Sequence, residues 1–147
     1  MIPVPVTALR EGAQVPAYAH PGDAGCDLVA IESVERAPGG GRAQVSCGIA
    51  VAIPDGYAGF VLPRSGLALH HGVTCLNAPG LIDAGYRGEL KVVLVNTDPT
   101  TPFLVQPGDR VAQFVVQRVE HVAFEAADSL EASHRGAGGF GSTGVRT

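Results

Sequence analysis

The segment Pro63–Ala68, with the sequence PRSGLA, carries groups that suit the binding of phosphate. Arg64 offers a forked cationic donor, Ser65 offers a hydroxyl, and the first turn of a helix beginning here offers free backbone N–H groups. The alternative is an ordinary capped helix with a surface arginine. This short segment does not decide between the two interpretations by itself.

A carboxylate suited to general-base chemistry stands in the segment Cys75–Leu90, CLNAPGLIDAGYRGEL. Glycines such as Gly80 predict turns, so we interpret the segment as a hairpin with Asp83 near its tip, where it could take a proton from water. Asp83 could instead only form an Asx turn. Asn77 could read the edge of a base and Tyr86 could flank a sugar, although each could equally be structural.

Polar residues at two other places in the sequence could bind a ligand. Gln113 interrupts the apolar run around Val111 and Val115, and its amide needs partners, supplied either by a neighbouring strand or by a ligand phosphate. Near the start, PGDAGCDL sets Asp23 and Asp27 among glycines. Two carboxylates on a loop could hold magnesium, directly or through its waters, or could simply belong to a turn.

The segment Gly136–Gly144, GAGGFGSTG, is too rich in glycine to hold a fold of its own. Glycine loses much backbone entropy on ordering, so we expect a flexible arm that settles only around a ligand. The arm carries Phe140, Ser142 and Thr143 as groups for closing contacts. It lacks the lysine and the preceding strand of a Walker A loop, and its alternatives are a disordered tail or a linker remnant.

Apolar residues recur with a period of two along most of the chain, which predicts β-strands. Ala43–Ile53 reads as one half-buried strand, whereas Glu89–Asn96 and Asp109–Val119 are apolar on both faces, as in strands buried between layers. Turn sequences rich in Pro, Gly and Asp separate these runs. Together they predict a β-sandwich or β-barrel.

The sequence SGLALHHG predicts one short helix, with Ser65 as the N-cap and Gly72 as the stop. A second, weaker helix signal lies near Asp128–Ser133. We expect residues 1–132 to form the β domain and residues 133–147 to form the arm.

Composition limits the classes of function. The chain of 147 residues fits one domain, and its net charge of −4, without a block of Lys or Arg, argues against nucleic acid as a partner. Cys26, Cys47 and Cys75 are odd in number and widely spaced, as expected of buried thiols in a reducing cytoplasm. There is no secretion signal or bilayer-spanning stretch, so we expect a soluble cytoplasmic protein without a membrane partner.

Five segments, taken in order, resemble the five motifs of the homotrimeric deoxyuridine triphosphate nucleotidohydrolase (dUTPase) family: PGDAGCDL, PRSGLA, NAPGLIDAGYRGEL, GDRVAQFVV and RGAGGFGSTG. The resemblance implies an all-β fold, a distorted jelly-roll β-barrel with one short helix and a flexible C-terminal arm. It also implies a homotrimer with active sites at the subunit interfaces, Mg²⁺ as cofactor, and hydrolysis of dUTP to dUMP and pyrophosphate.

The same resemblance implies a role for individual residues. Asp83 would activate the attacking water, Asn77 would contribute to a hairpin that receives uracil, and Tyr86 would lie under the deoxyribose. Asp27 would support the magnesium ion through its water shell, and Phe140 would stack on the base. The further substrate-binding positions implied are Arg64, Ser65, Gly66, Gly80, Lys91, Gln113, Arg135, Gly141, Ser142 and Thr143.

Two rival functions remain to be weighed. The related dCTP deaminases share the fold, but they carry a second serine where Gly66 stands and a catalytic glutamate where Val93 stands, and valine cannot shuttle protons. A non-catalytic nucleotide-binding module is the other rival, and Asp83 together with the complete arm argues against it. Leu81 replaces a threonine common in the family and removes no catalytic group.

Overall fold

A computed structural model describes residues 1–140, 142 and 144 of the chain. Within them the fold is all-β with one short helix, as the sequence predicts. The elements in chain order are β1 (Val6–Ala8), β2 (Cys26–Val29), β3 (Val34–Arg36), β4 (Gly41–Ser46), β5 (Ile49–Val51), β6 (Tyr57–Leu62), α1 (Ser65–His71), β7 (Val73–Cys75), β8 (Gly80–Ile82), β9 (Lys91–Asn96), β10 (Phe103–Val105) and β11 (Arg110–Arg118).

The strands pair antiparallel in four sheets that enclose one apolar core. The largest sheet has the order β2-β11-β6-β8, the next has the order β4-β9-β7, and β1-β5 and β10-β3 form two-stranded pairs. Side chains from different sheets, such as Leu28, Val45, Leu94 and Val111, are at most 1% exposed. The strands predicted within Glu89–Asn96 and Asp109–Val119 are therefore confirmed as β9 and β11.

The segment Ala43–Ile53 forms two strands, so the prediction of a single strand is wrong. Its alternating residues are buried as expected, but the chain turns at Gly48, whose φ of +71° lies in the left-handed region. A Cβ at Gly48 would also lie 2.9 Å from Ile31 Cδ1, so a side chain there would have to displace the end of Ile31. As a result β4 pairs with β9, whereas β5 pairs with β1 in another sheet.

Helix α1 begins at Ser65 and ends before Gly72, whose φ of +63° closes the helix in the left-handed conformation. The predicted N-cap is off by one residue, because Arg64 has the extended backbone of the cap and Ser65 is already helical. The predicted helix near Asp128–Ser133 is absent, since this segment is exposed and has no apolar surface to pack against. Among the described residues, no helix has the length and apolar character to cross a bilayer.

The prediction of a hairpin in Cys75–Leu90 is also wrong, because its two strands do not pair with each other. Strand β7 pairs with β9 and strand β8 pairs with β6, so the two short strands belong to different sheets. Both find a longer strand as partner, which a local sequence pattern cannot anticipate. The connection between them carries Asn77, and the turn after β8 carries Asp83.

Candidate active site

An arginine–carboxylate cluster forms where β2, β11 and the chain after β6 meet. In the sheet register Gln113 of β11 lies opposite Asp27 of β2 and Leu62 of β6. Leu62 leads through a proline to Arg64, whose Nε lies 3.1 Å from Asp27 Oδ1. Neighbouring strands thus bring together residues from three distant parts of the sequence.

Arg110 completes this cluster. Its Nη1 lies 3.3 Å from Asp27 Oδ2, and its main-chain carbonyl accepts a hydrogen bond of 3.1 Å from Arg64 Nη1. Two guanidinium groups share one carboxylate, so the cluster keeps a net positive charge. Sequence reasoning did not assign Arg110 a role, although the residue stands inside the quoted segment GDRVAQFVV.

Exposed polar groups surround the cluster. Ser65 and Gly66 form the first turn of α1 and are both exposed, and nothing lies within 4 Å of a Cβ built on Gly66. Gln113 is exposed between the buried residues Ala112 and Phe114. The arrangement presents cationic groups and neutral donors on one open surface, which suits a polyphosphate.

The turn after β8 holds Asp83 in solvent. Asp83 is exposed, and its carbonyl accepts a hydrogen bond of 3.0 Å from the Tyr86 N–H. Arg87 donates from Nη1 to the carbonyls of Ala84 and Tyr86 and so closes the turn. Asp83 faces a cleft of about 510 Å³ whose lining includes Asp55 and His121.

Asn77 and Gly80 lie together at the start of β8. Asn77 is exposed, and a Cβ built on the buried Gly80 would lie 3.3 Å from both Asn77 Nδ2 and Val61 Cβ. The missing side chain of Gly80 therefore lets the Asn77 amide approach the sheet. Leu81 follows with its side chain 59% exposed, so it takes no part in the core.

Tyr86 folds back over its own turn. Its phenol donates a hydrogen bond of 3.0 Å to the main-chain carbonyl of Glu89, while the residue remains 43% exposed. Lys91 takes part in an ion-pair network instead of lying free, because its Nζ is 3.6 Å from Glu89 Oε2. The same carboxylate pairs with Arg10 at 3.3 Å and accepts a hydrogen bond from the Gly48 N–H.

The predicted arm residues lie far along an exposed segment. From Glu120 to Phe140 the chain contains no helix or strand, and Arg135 Nε donates a hydrogen bond of 2.8 Å to the carbonyl of Gly138. Phe140 has a φ of +49° and is fully exposed, and the Ser142 N–H donates to the Gly139 carbonyl. The predictions for Gly141 and Thr143 fall outside the described residues.

One chain does not bring all the predicted residues together. Strand β6 runs from Tyr57, which lines the Asp83 cleft, to Leu62, which precedes Arg64. Its six residues span about 17 Å of extended backbone. Asp83 and the Asp27–Arg64–Arg110 cluster therefore lie at opposite ends of the same strand.

The dUTPase family model matches residues 11–144, which include every one of these positions. The chain belongs to the dUTPase family. A deoxyuridine 5'-triphosphate nucleotidohydrolase from Thermobifida fusca is 61% identical over 141 residues, which cover 96% of this chain and 78% of the relative. One from Leifsonia xyli is 51% identical over 143 residues, which cover 97% of this chain and 91% of the relative.

Solved dUTPase structures share the fold. A point mutant of the Staphylococcus bacteriophage 80alpha dUTPase with dUpNHpp superimposes with a TM-score of 0.88 at 27% identity, covering 99% of this chain and 100% of that one. A mutant dUTPase of phage phi11 of S. aureus, described with a structural Mg(II) ion, gives a TM-score of 0.80 at 25% identity, covering 89% and 100%. The dUTPase-like jelly-roll fold is thereby confirmed.

Proposed function

We propose that this protein is a dUTP diphosphatase, which hydrolyses dUTP to dUMP and pyrophosphate. Such an activity limits uracil in DNA and supplies dUMP for dTMP synthesis. Family membership over residues 11–144 supports the reaction class. The observation that carries the proposal is that the chain presents an exposed carboxylate, Asp83, and a separate cationic surface built on Arg64 and Arg110.

The separation of these two groups supports a homotrimer with shared active sites. Asp83 and Arg64 lie toward opposite ends of β6, so one chain does not place both groups at one phosphorus atom. A second subunit that sets its own Arg64 beside this Asp83 completes the site. The long exposed segment after Glu120 supports an arm, within residues 133–147, that reaches a site on a further subunit.

In the complete site each residue meets one need of the reaction. Asp83 takes the proton of a water that attacks the α-phosphate in line with the leaving pyrophosphate. Arg64, Ser65, Gly66 and Gln113 donate to the phosphate oxygens as negative charge shifts onto the leaving group. These donors act best when bulk water is excluded.

The nucleoside is recognised by the segment around β8. Asn77 and nearby main-chain groups bind the polar edge of uracil, with Gly80 allowing the close approach. Tyr86 lies against the deoxyribose, where an additional 2′-hydroxyl would clash. Lys91 supports this region through its ion pair with Glu89.

The chain fits a magnesium ion held mainly by the substrate. Asp27 Oδ1 is buried and accepts no hydrogen bond, because the nearby Arg64 N–H is not aimed at it. The described residues contain no group of three or more His, Cys, Asp or Glu side chains placed to hold a metal. Asp27 is the residue that would support the water shell of the ion, and bound Mg²⁺ would neutralise negative charge on the phosphates.

Closure of the arm excludes bulk water from the site and adds contacts to the nucleotide. Phe140 stacks on the base, while Arg135, Gly141, Ser142 and Thr143 close on the phosphates. Ordering a glycine-rich segment costs conformational entropy, so the arm settles only when a nucleotide provides these contacts.

All three cysteines are free thiols, which supports a location in a reducing cytoplasm.

One assay tests the proposed function. The purified protein is offered each deoxynucleoside triphosphate with magnesium, and pyrophosphate and ammonia are followed separately. Pyrophosphate from dUTP alone is expected. Ammonia from dCTP would favour a deaminase, and binding of nucleotides without any product would favour a non-catalytic module.

A further inference from the structure

Gly88 lies beneath the ring of Tyr86. A Cβ built on Gly88 would lie 2.6 Å from Cζ of that ring, closer than a carbon atom can approach, and 3.0 Å from Cε2, a tight contact. The φ of Gly88 lies outside the left-handed region, so alanine fits the backbone there. Alanine at position 88 is therefore compatible with the backbone but requires the Tyr86 ring to move.

The contact on Gly88 works together with the hydrogen bond from the Tyr86 phenol to the Glu89 carbonyl. The first sets how closely the ring approaches its own turn, and the second sets where the phenol oxygen lies. We call Gly88 and the main-chain carbonyl of Glu89 the Tyr86 seat. Tyr86 is 43% exposed, so the seat supports a ring that is open to solvent on part of its surface.

The Tyr86 seat is anchored to the body of the fold. The Cys47 N–H donates to the Leu90 carbonyl at 3.1 Å, and the Leu90 N–H donates to the Ile49 carbonyl at 2.7 Å. The Gly48 N–H adds a hydrogen bond of 3.0 Å to the Glu89 carboxylate. Main-chain and side-chain bonds thus fix the seat to the corner between β4 and β5.

We propose that Gly88 is a positioning residue for sugar selectivity: it lets Tyr86 settle on its seat at the depth that admits a deoxyribose and rejects a ribose. This inference rests on the proposed function, because it deepens the role given there to Tyr86. A methyl group at position 88 pushes the ring away from the seat. Since the phenol is the free end of a side chain, the ring gives way while the backbone stays in place.

The test is a double-mutant cycle of Gly88→Ala and Tyr86→Ala, read as the ratio of kcat/KM for dUTP to kcat/KM for UTP. We expect Gly88→Ala to lower this ratio roughly tenfold or more, as a displaced positioning group does. In the Tyr86→Ala background the same substitution should leave the ratio unchanged, because the group through which it acts is gone. Gly85→Ala is the matched control, since a Cβ there meets nothing within 4 Å.

Two outcomes of the double-mutant cycle overturn the inference. One is an unchanged ratio in folded Gly88→Ala protein, and the other is an equal loss in the Tyr86→Ala background. If Gly88→Ala does not fold, Tyr86→Phe takes its place, because it removes only the bond to the Glu89 carbonyl; an unchanged ratio there also overturns the inference.

Failure of the proposed function is recognised separately, by a wild-type protein that does not hydrolyse dUTP. The seat is then still tested without nucleotide, by NMR of the three tyrosines labelled with ¹³C and assigned with Tyr86→Phe. The Tyr86 ring signals should shift in Gly88→Ala and stay in place in Gly85→Ala. Unmoved signals in Gly88→Ala would refute the contact.

Discussion

Asp27 and Arg64, which lie on separate elements, form an ion pair with Nε and Oδ1 3.1 Å apart. The pair is partly sheltered, with side-chain exposures of 18% and 26%. Arg110 holds the other carboxylate oxygen. The carboxylate therefore fixes the direction of the arginine that we assign to phosphate binding.

Replacing Asp27 with asparagine should weaken both the fold and the response to magnesium. We expect Asp27→Asn to lower the free energy of unfolding by about 1–2 kcal/mol, between the values for exposed and fully buried ion pairs. We also expect half-maximal hydrolysis to need more Mg²⁺, since an amide attracts the hydrated ion less. Urea unfolding and magnesium titrations of activity measure the two effects.

Asp23→Asn is the control for this prediction. Asp23 lies in the same loop segment, but its ion-pair partner His20 is 81% exposed at the side chain. Its removal should change the unfolding free energy by less than about 0.5 kcal/mol and leave the magnesium response alone. Equal effects of the two substitutions would show that the Asp27 cluster has no special part.

Loss of the Asp83 carboxylate should abolish turnover while preserving binding. Asp83→Asn keeps the size of the exposed side chain, so we expect nucleotide affinity to persist and kcat to fall by roughly 10²–10⁴-fold. Asp55, which lines the same cleft, provides the comparison. If Asp55→Asn lowered kcat more than Asp83→Asn did, the role of general base would have to be reassigned to Asp55.

Much of the fold can be predicted from the sequence, because alternation of apolar residues decides burial. Val45, Cys47, Ile49, Val51 and Ile53 alternate in the sequence and are all at most 3% exposed. The error concerns the partner of each half of that segment. Gly48, in the left-handed conformation, redirects the chain between β4 and β5. The periodic pattern of apolar residues does not indicate with which strand each of them pairs.

The candidate site is only partly open to sequence reasoning. Motif order indicates the residue types, and the register of β2, β11 and β6 does bring Asp27, Gln113 and Arg64 together. The sequence does not indicate that Arg110 shares the Asp27 carboxylate or that Gly88 supports Tyr86. Both relationships depend on side chains that fold back toward the main chain. The separation of Asp83 from Arg64 likewise follows only from the three-dimensional structure, in which β6 lies between them.

Two buried thiols should make the protein less stable at alkaline pH. Burial raises the pKa of Cys47 to about 12, with a smaller contribution from the Glu89 carboxylate, and burial raises the pKa of Cys75 to about 11. Unfolded thiols ionise near pH 9, so above that pH the unfolded state holds fewer protons than the folded state. Stability should then fall by about 1.4 kcal/mol per pH unit for each thiol, up to the folded pKa.

Urea unfolding between pH 8 and pH 11 checks this alkaline loss. Cys47→Ala and Cys75→Ala lose one titrating thiol each, so their unfolding free energies should depend less steeply on pH, even though each starts lower because of the cavity left in the core. The comparison cancels tyrosine and lysine titration, which the variants share. An identical slope in all three proteins would exclude the thiols as its cause.

Removal of the arm should separate folding from catalysis. A chain ending at His134 retains the eleven strands and the helix that the described residues form, while it loses Arg135 and Phe140. We expect its thermal unfolding and the mass of the trimer that we propose to match those of the full chain, because the described residues among those removed add nothing to the buried core. Hydrolysis of dUTP should fall by roughly 10²-fold, since bulk water then reaches the phosphates and the uracil base loses its stacking partner.

Phe140→Ala in the full chain tests the stacking contribution by itself and should raise KM more than it lowers kcat. Full activity in the truncated protein would rule out closure by the arm, and a truncated protein that no longer forms trimers would assign the arm to assembly instead.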